Sequence, residues 1–197
     1  KEMIYPDQFI PVLEKNGYVI DVDNFIWNKV CACIKMMEDK GIEPVPISVN
    51  VSRMHVYQEK FIENLKDMAS EYGIDPKYIP LEITESAFTK EECSLFKKVQ
   101  SLQGYGFKFS MDDFGSGYSS LGMLKSERVD EVKIDKTFVD DIATDKGKVL
   151  LGNVIRMINE LGIDMIAEGV ETKEQADFLK ENGCMYAQGY YYYKPMP

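Results

Sequence analysis

The sequence predicts an α/β fold of repeated strand–helix units, and three observations carry that reading. Six short runs rich in Val, Ile, Phe, Tyr or Met have the length and apolar continuity of buried parallel strands. Longer stretches between them place apolar residues at helical spacing. Five of these stretches run into a glycine before the next apolar run, which is the punctuation of a βα repeat.

In chain order, Asp23 to Asp39 carries Phe25, Ile26, Val30, Ile34 and Met37 on one helical face, and Gly41 stands where a C-cap belongs. Val45 to Val51 is the first strand. Glu59 to Tyr72 repeats the helical pattern with Phe61, Leu65, Met68 and Tyr72, closed by Gly73, and Ile79 to Thr84 is the second strand. Lys90 to Gln103 holds Leu95, Phe96, Val99 and Leu102, with Gly104 as its expected cap, before the strand Phe107 to Met111. Glu131 to Ile134 is the fourth strand. Lys148 to Leu161 and Gly162 lead to the strand Asp164 to Ala167. Glu174 to Glu181 and Gly183 lead to the sixth, Met185 to Gln188. No linker or low-complexity tract interrupts the rhythm, so residues 1–197 read as a single domain.

Composition narrows the function. With 33 Asp plus Glu against 23 Lys plus Arg, the net charge is −10, and no basic face for a nucleic-acid polymer is present. An anionic partner would therefore need a metal ion to neutralise it. The single histidine, His55, argues against multi-histidine zinc sites, so a metal would be held by oxygen as Mg²⁺, Mn²⁺ or Ca²⁺. Cys31, Cys33, Cys93 and Cys184 form no CxxC pair and read as reduced thiols. No apolar stretch approaches a membrane span and the N-terminus has no signal-like h-region, so a cytoplasmic setting is expected. Position 1 is Lys rather than Met, which reads as a fragment or a processed chain.

The ends of the strands decide between an open doubly wound sheet and a barrel. An open sheet gathers ligand residues at one switch point, whereas a barrel receives them from nearly every strand at one face. Here the strands end at Asn50, at Glu82 and Glu85, at Asp112 and Asp113, at Lys133 and Asp135, at Glu168 with Glu171 beyond, and at Gln188. A lone acid at a strand end is usually a helix cap. Adjacent carboxylates on an apolar strand repel and need a counter-charge, and Lys133 between Val132 and Ile134 needs a partner if buried. One metal-centred cluster accounts for them all, at the mouth of a barrel. The glycine-rich stretch Phe114 to Ser120 matches no phosphate-binding motif and reads as a loop over the site. Tyr190 to Tyr193 are either a base-stacking wall or core and barrel-rim packing, and Tyr190 and Pro195 are carried as substrate-binding candidates.

These motifs, in this order, resemble the EAL domain family of cyclic di-GMP phosphodiesterases. The matching segments are Val49-Asn50-Val51-Ser52, Leu81-Glu82-Ile83-Thr84-Glu85, Met111-Asp112-Asp113-Phe114-Gly115-Ser116-Gly117-Tyr118-Ser119-Ser120, Val132-Lys133-Ile134-Asp135, Ala167-Glu168-Gly169-Val170-Glu171-Thr172 and Gln188-Gly189-Tyr190. Pro6 to Pro11 resembles the family's PxxFIP segment.

The resemblance implies a TIM-like (β/α)8 barrel that cleaves cyclic di-GMP to linear pGpG with two Mg²⁺ or Mn²⁺ ions. Asn50, Glu82 and Asp112 would hold one metal, and Asp112 and Asp113 the second. Lys133 would orient the attacking water or a phosphate oxygen, Glu168 would act as general base or water-mediated ligand, and Gln188 would bond the water network. Glu171 is expected to support Lys133, and Glu85 to anchor the Gly115 to Ser120 loop, which the family also uses in dimers. His55 stands where the family commonly has glutamine, and Ser116 where threonine is usual. The family's Glu-Ala-Leu strand, with a further metal ligand, precedes the PxxFIP segment and is not in this sequence. The chain is therefore expected to be a barrel without about two N-terminal strands, and shortened at its C-terminus as well. Sensor or diguanylate cyclase domains are expected in the parent protein, and a homodimer is possible within the family. The rival reading is a degenerate cyclic di-GMP receptor. Such receptors lose several metal ligands, and here six of the expected site residues (Asn50, Glu82, Asp112, Asp113, Lys133, Glu168) are present.

Overall fold

Among the described residues helices separate most of the strands, and every strand pairing with a defined register is parallel. The structure is a computed structural model that describes residues 4–88, 92–115, 124 and 129–196. Its contacts divide the chain into two compact units, Lys1–Ile83 with Glu91–Lys108, and Thr84–Lys90 with Phe109–Pro197.

The first unit begins with α1 (Pro6–Asn16), which lies in the PxxFIP segment. Pro6 suits the first helical turn, the Gln8 side chain accepts from the Tyr5 N–H at 3.2 Å, and Gly17 ends the helix at φ +79°. Then follow α2 (Val19–Asp39), β1 (Val49–Asn50), the single turn α3 (Arg53–Val56), α4 (Phe61–Tyr72), most of β2 (Leu81–Thr84), and α5 (Glu92–Tyr105). In β1 and β2, Val49 lies opposite Leu81 and Asn50 opposite Glu82. The core beneath them is Trp27, Cys31 and Ile34 of α2, Phe61 and Leu65 of α4, and Leu95, Val99 and Leu102 of α5. In α4 and α5 these are the apolar spacings of the sequence turned inward, but α2 buries Trp27 and Cys31 with Ile34 and leaves Phe25 and Ile26 of its expected apolar face exposed. Gly104 does not cap α5. It lies inside the helix, and Gly106 at φ +114° makes the left-handed turn two residues later.

The second unit contains β3 (Phe109–Phe114), β4 (Glu131–Ile134), α6 (Lys136–Asp140), α7 (Asp145–Glu160), β5 (Asp164–Ala167), α8 (Lys173–Glu181) and β6 (Tyr186–Ala187). The pairings run β3–β4, β4–β5 and β5–β6. Side-chain caps start each helix: Asp135 accepts from Thr137 N–H, Thr144 from Gly147 N–H, and Thr172 from Gln175 N–H. Leu151, Ile155 and Ile158 recur at helical spacing and are fully buried, so α7 presents one apolar stripe to the strands.

Four strands fall within about two residues of their expected ends. The first is shorter than expected, at Val49–Asn50, and the third runs on through Asp112 and Asp113 to Phe114. Among the described residues no helix is long and apolar enough to cross a membrane.

Candidate active site

Asp112 and Asp113 owe their arrangement to a break in the pleat. Along a regular strand, neighbouring side chains point to opposite faces. Here Met111 pairs with Val132 but Phe114 with Ile134, so β3 has one more residue than β4 across this stretch. That is a β-bulge, and Asp113 sits in it at φ +55°, the only described non-glycine residue with positive φ. The bulge lets both carboxylates serve one site. Carboxylate oxygens of Asp112, Asp113 and Glu168 all lie within 4.8 Å of one another.

Lys133 stands next to them on β4, 8% exposed. Its Nζ lies 2.6 Å from Glu168 Oε1 and 3.5 Å from Asp112 Oδ1. Burying an ammonium costs several kcal/mol unless it is paired, and these two carboxylates supply the pairing. Glu168 follows β5 directly, and its backbone N–H continues the ladder to Ile134 O at 3.0 Å. Gln188 follows β6, and its Nε2 donates to the same Glu168 Oε1 at 2.6 Å. Burial first, then the charges of Asp112 and Asp135, hold the Asp113 carboxyl above its ordinary 3.8. A cation between the carboxylates would relieve that repulsion.

Glu85, 2% exposed, accepts a hydrogen bond from the Gly115 N–H through Oε2 at 3.3 Å. Ser116 to Ser120 of that loop lie outside the described residues. Asn50, at the end of β1, and Glu82, inside β2, are register partners in the first unit. The Trp27 indole donates to Asn50 O at 3.0 Å, and the Ser52 N–H to Asp23 Oδ2 at 3.2 Å, fixing the end of β1.

Glu171 is a correction. It supports Lys136 rather than Lys133, with Lys136 Nζ 2.9 Å from its Oε1. Gly169, at φ +68°, turns the chain after Glu168, and Glu171 faces the helix that follows β4 instead of the strand itself. Nothing in the sequence marks Lys136, because an exposed lysine in a helix normally signals only a solvated face.

A pocket of about 630 Å³ opens beside Glu168 and Gln188. Tyr190, Tyr193, Lys194 and Pro195 line it together with Lys136 and Glu171. Tyr190 is 60% exposed, with the Lys194 ammonium 5.8 Å from its ring centroid. The tyrosines are thus rim residues rather than core.

A match to the EAL domain family covers residues 1–195. The chain belongs to the EAL domain family. Signaling protein YkoW of Bacillus subtilis is 37% identical over 194 residues, covering 98% of this chain and 24% of YkoW. Probable cyclic di-GMP phosphodiesterase PdeG of Escherichia coli is 34% identical over 194 residues, covering 98% of this chain and 38% of PdeG. This EAL domain thus spans well under half the length of these relatives. The solved "PaMucR Phosphodiesterase, c-di-GMP complex" superposes with a TM-score of 0.92 at 30% identity, covering 98% of this chain and 79% of that one. The fold is accordingly the TIM-barrel-like α/β fold of EAL domains.

Proposed function

We propose that this EAL domain hydrolyses cyclic di-GMP to linear pGpG with two divalent cations, Mg²⁺ or Mn²⁺. The observation that carries the reading is the constellation of Asp112, Asp113, Lys133, Glu168 and Gln188 at the C-terminal ends of consecutive parallel strands.

The donor set fits a hard cation. Three carboxylates meet within 4.8 Å; oxygen ligands of this kind suit Mg²⁺, Mn²⁺ and Ca²⁺, and the resemblance favours the first two. Asp112 and Asp113 would hold the metals, with Asn50 and Glu82 added by the resemblance. When bound, two such ions stabilise charge on a phosphodiester in its transition state and make the attacking water more acidic.

The chain's own residues supply the remaining chemistry. Glu168 accepts the proton of the attacking water. Its Oε1 is held by both Lys133 and Gln188, which fix its rotamer before the substrate arrives. The Lys133 ammonium orients the water or a phosphate oxygen and offsets negative charge as it develops. Tyr190 and Pro195 in the adjoining pocket present stacking and apolar surface to a base. A cytoplasmic location, a homodimer and accompanying sensor or diguanylate cyclase domains complete the proposal.

Glu168→Gln keeps the size and the hydrogen-bonding ability of the side chain but cannot accept the proton. Chromatography of cyclic di-GMP incubated with Mn²⁺ should show linear product from the parent. Turnover should fall by roughly 10²–10⁴-fold in the variant, the usual contribution of general base catalysis. Undiminished turnover in Glu168→Gln would reject the base assignment. Calorimetric binding by the parent with no product at all would replace the enzyme by a receptor.

A further inference from the structure

Lys136 joins two carboxylates, with its Nζ 2.9 Å from Glu171 Oε1 and 3.2 Å from Asp140 Oδ1. Gln175 closes the circuit. It is 8% exposed, and its Nε2 lies 3.3 Å from the same Asp140 Oδ1. Its Oε1 accepts from the backbone N–H groups of Glu171 at 2.7 Å and Thr172 at 2.9 Å. The amide can take only this orientation, because the reverse would set its carbonyl against a carboxylate and its NH₂ against two donors. The result is a ring that links α6, the segment after β5, and the first turn of α8.

The ring is placed where it bears on the ion pair. Lys133 and Lys136 are three residues apart, as are Glu168 and Glu171, so both halves of the 2.6 Å contact run directly into ring members. Gly169 lies against the Lys136 stem so closely that a Cβ there would be 2.5 Å from Lys136 Cγ. On the other side, Val170 N–H donates to Gln188 O at 3.0 Å and Tyr191 N–H to Val170 O at 2.9 Å. The segment that carries Glu168 is therefore held from both flanks.

We infer that Lys136, Asp140, Glu171 and Gln175 form a latch that sets the position of Glu168 over Lys133, with Lys136 and Gln175 as positioning residues. The inference rests on the hydrolytic reading above for its effect on rate, but not for its effect on structure. A surface ion pair alone contributes little to stability. The latch acts through geometry, since a displacement of about 1 Å at a reacting group can cost on the order of 10²-fold in rate.

Three variants test it: Lys136→Met, Lys136→Arg and Gln175→Met. Kinetics with cyclic di-GMP and Mn²⁺ are expected to give kcat about 10-fold lower in Lys136→Met and Gln175→Met, with KM within about twofold of the parent. Lys136→Arg, which preserves the bridge, should recover most of the loss. Amide hydrogen exchange provides the readout that is independent of turnover. The Glu171 and Thr172 amides should exchange faster in Lys136→Met and Gln175→Met, while those in the buried stripe of α7 should not change. Unaltered exchange overturns the latch, as does unaltered kcat. So does a raised KM at constant kcat, which would mean that Lys136 contacts the ligand itself. An Arg variant as impaired as the Met variant also counts against it. If the parent hydrolyses nothing, the functional reading falls and the latch stands or falls on exchange alone.

Discussion

His55 is 1% exposed, its ring centroid 4.3 Å from that of Trp27 and its Nε2 3.5 Å from Asp23 Oδ2. Burial holds the imidazole below its ordinary 6.5. The unfolded chain therefore takes up a proton near pH 6.5 while the folded chain resists it until lower pH. The resulting stability is complete above pH 6.5 and is lost as the pH falls from there toward the folded value. Asp23 has the opposite sense: burial raises its carboxyl above 3.8, so its cost to the fold is greatest once it is ionised. Urea midpoints measured at pH 7.5 and 5.5 should fall in the parent, and should fall clearly less in His55→Gln. Equal slopes in the two proteins would remove His55 from the account.

Helix α7 offers a test at the level of the element. Gly147 occupies its first turn, where alanine would normally improve a helix by about 1 kcal/mol. Here a Cβ would lie 1.9 Å from Asp141 O, part of the backbone that leads into the helix. The tight approach also lets Thr144 accept the Gly147 N–H at 3.0 Å. Gly147→Ala is expected to lower stability by about 1–3 kcal/mol through overpacking, against the propensity trend. Chemical denaturation would measure it, and a stabilised variant would show that the turn can relax at no cost. The β3 bulge teaches a related lesson. The apolar run Phe107 to Met111 marks a strand, but nothing in the local composition says that Asp112 and Asp113 break its pleat. That break is visible only as a register shift against β4.

Across the whole molecule, the proposed metal site predicts a fold that responds to divalent cations, given a net charge of −10 and a cluster of three carboxylates. Mn²⁺ at about 100 times its dissociation constant should raise the melting temperature by on the order of 5–10 °C, judged from mass action and the size of the domain. Sodium chloride at matched ionic strength should not reproduce the effect. Asp113→Asn should abolish the Mn²⁺ response. In EDTA it should melt no lower than the parent, because it removes a carboxylate whose ionisation the fold already opposes. Differential scanning fluorimetry measures both. An undiminished Mn²⁺ shift in Asp113→Asn would place the metal elsewhere.

The sequence alone determined the α/β repeat, the places of most strands, and the candidates at their C-terminal ends. Each of these follows from local periodicity and from the cost of burying unpaired charge. The family followed from ordered motifs. Only the tertiary structure decided how those candidates are arranged. It turned Asp112 and Asp113 to one site through a bulge, joined Glu168 to both Lys133 and Gln188, moved the α5 cap from Gly104 to Gly106, and gave Glu171 to Lys136. Segments 20 to 35 residues apart in the chain meet in these contacts. No single stretch of sequence records which of several nearby charges a side chain will reach, because that is fixed by strand register and by the turns between strands.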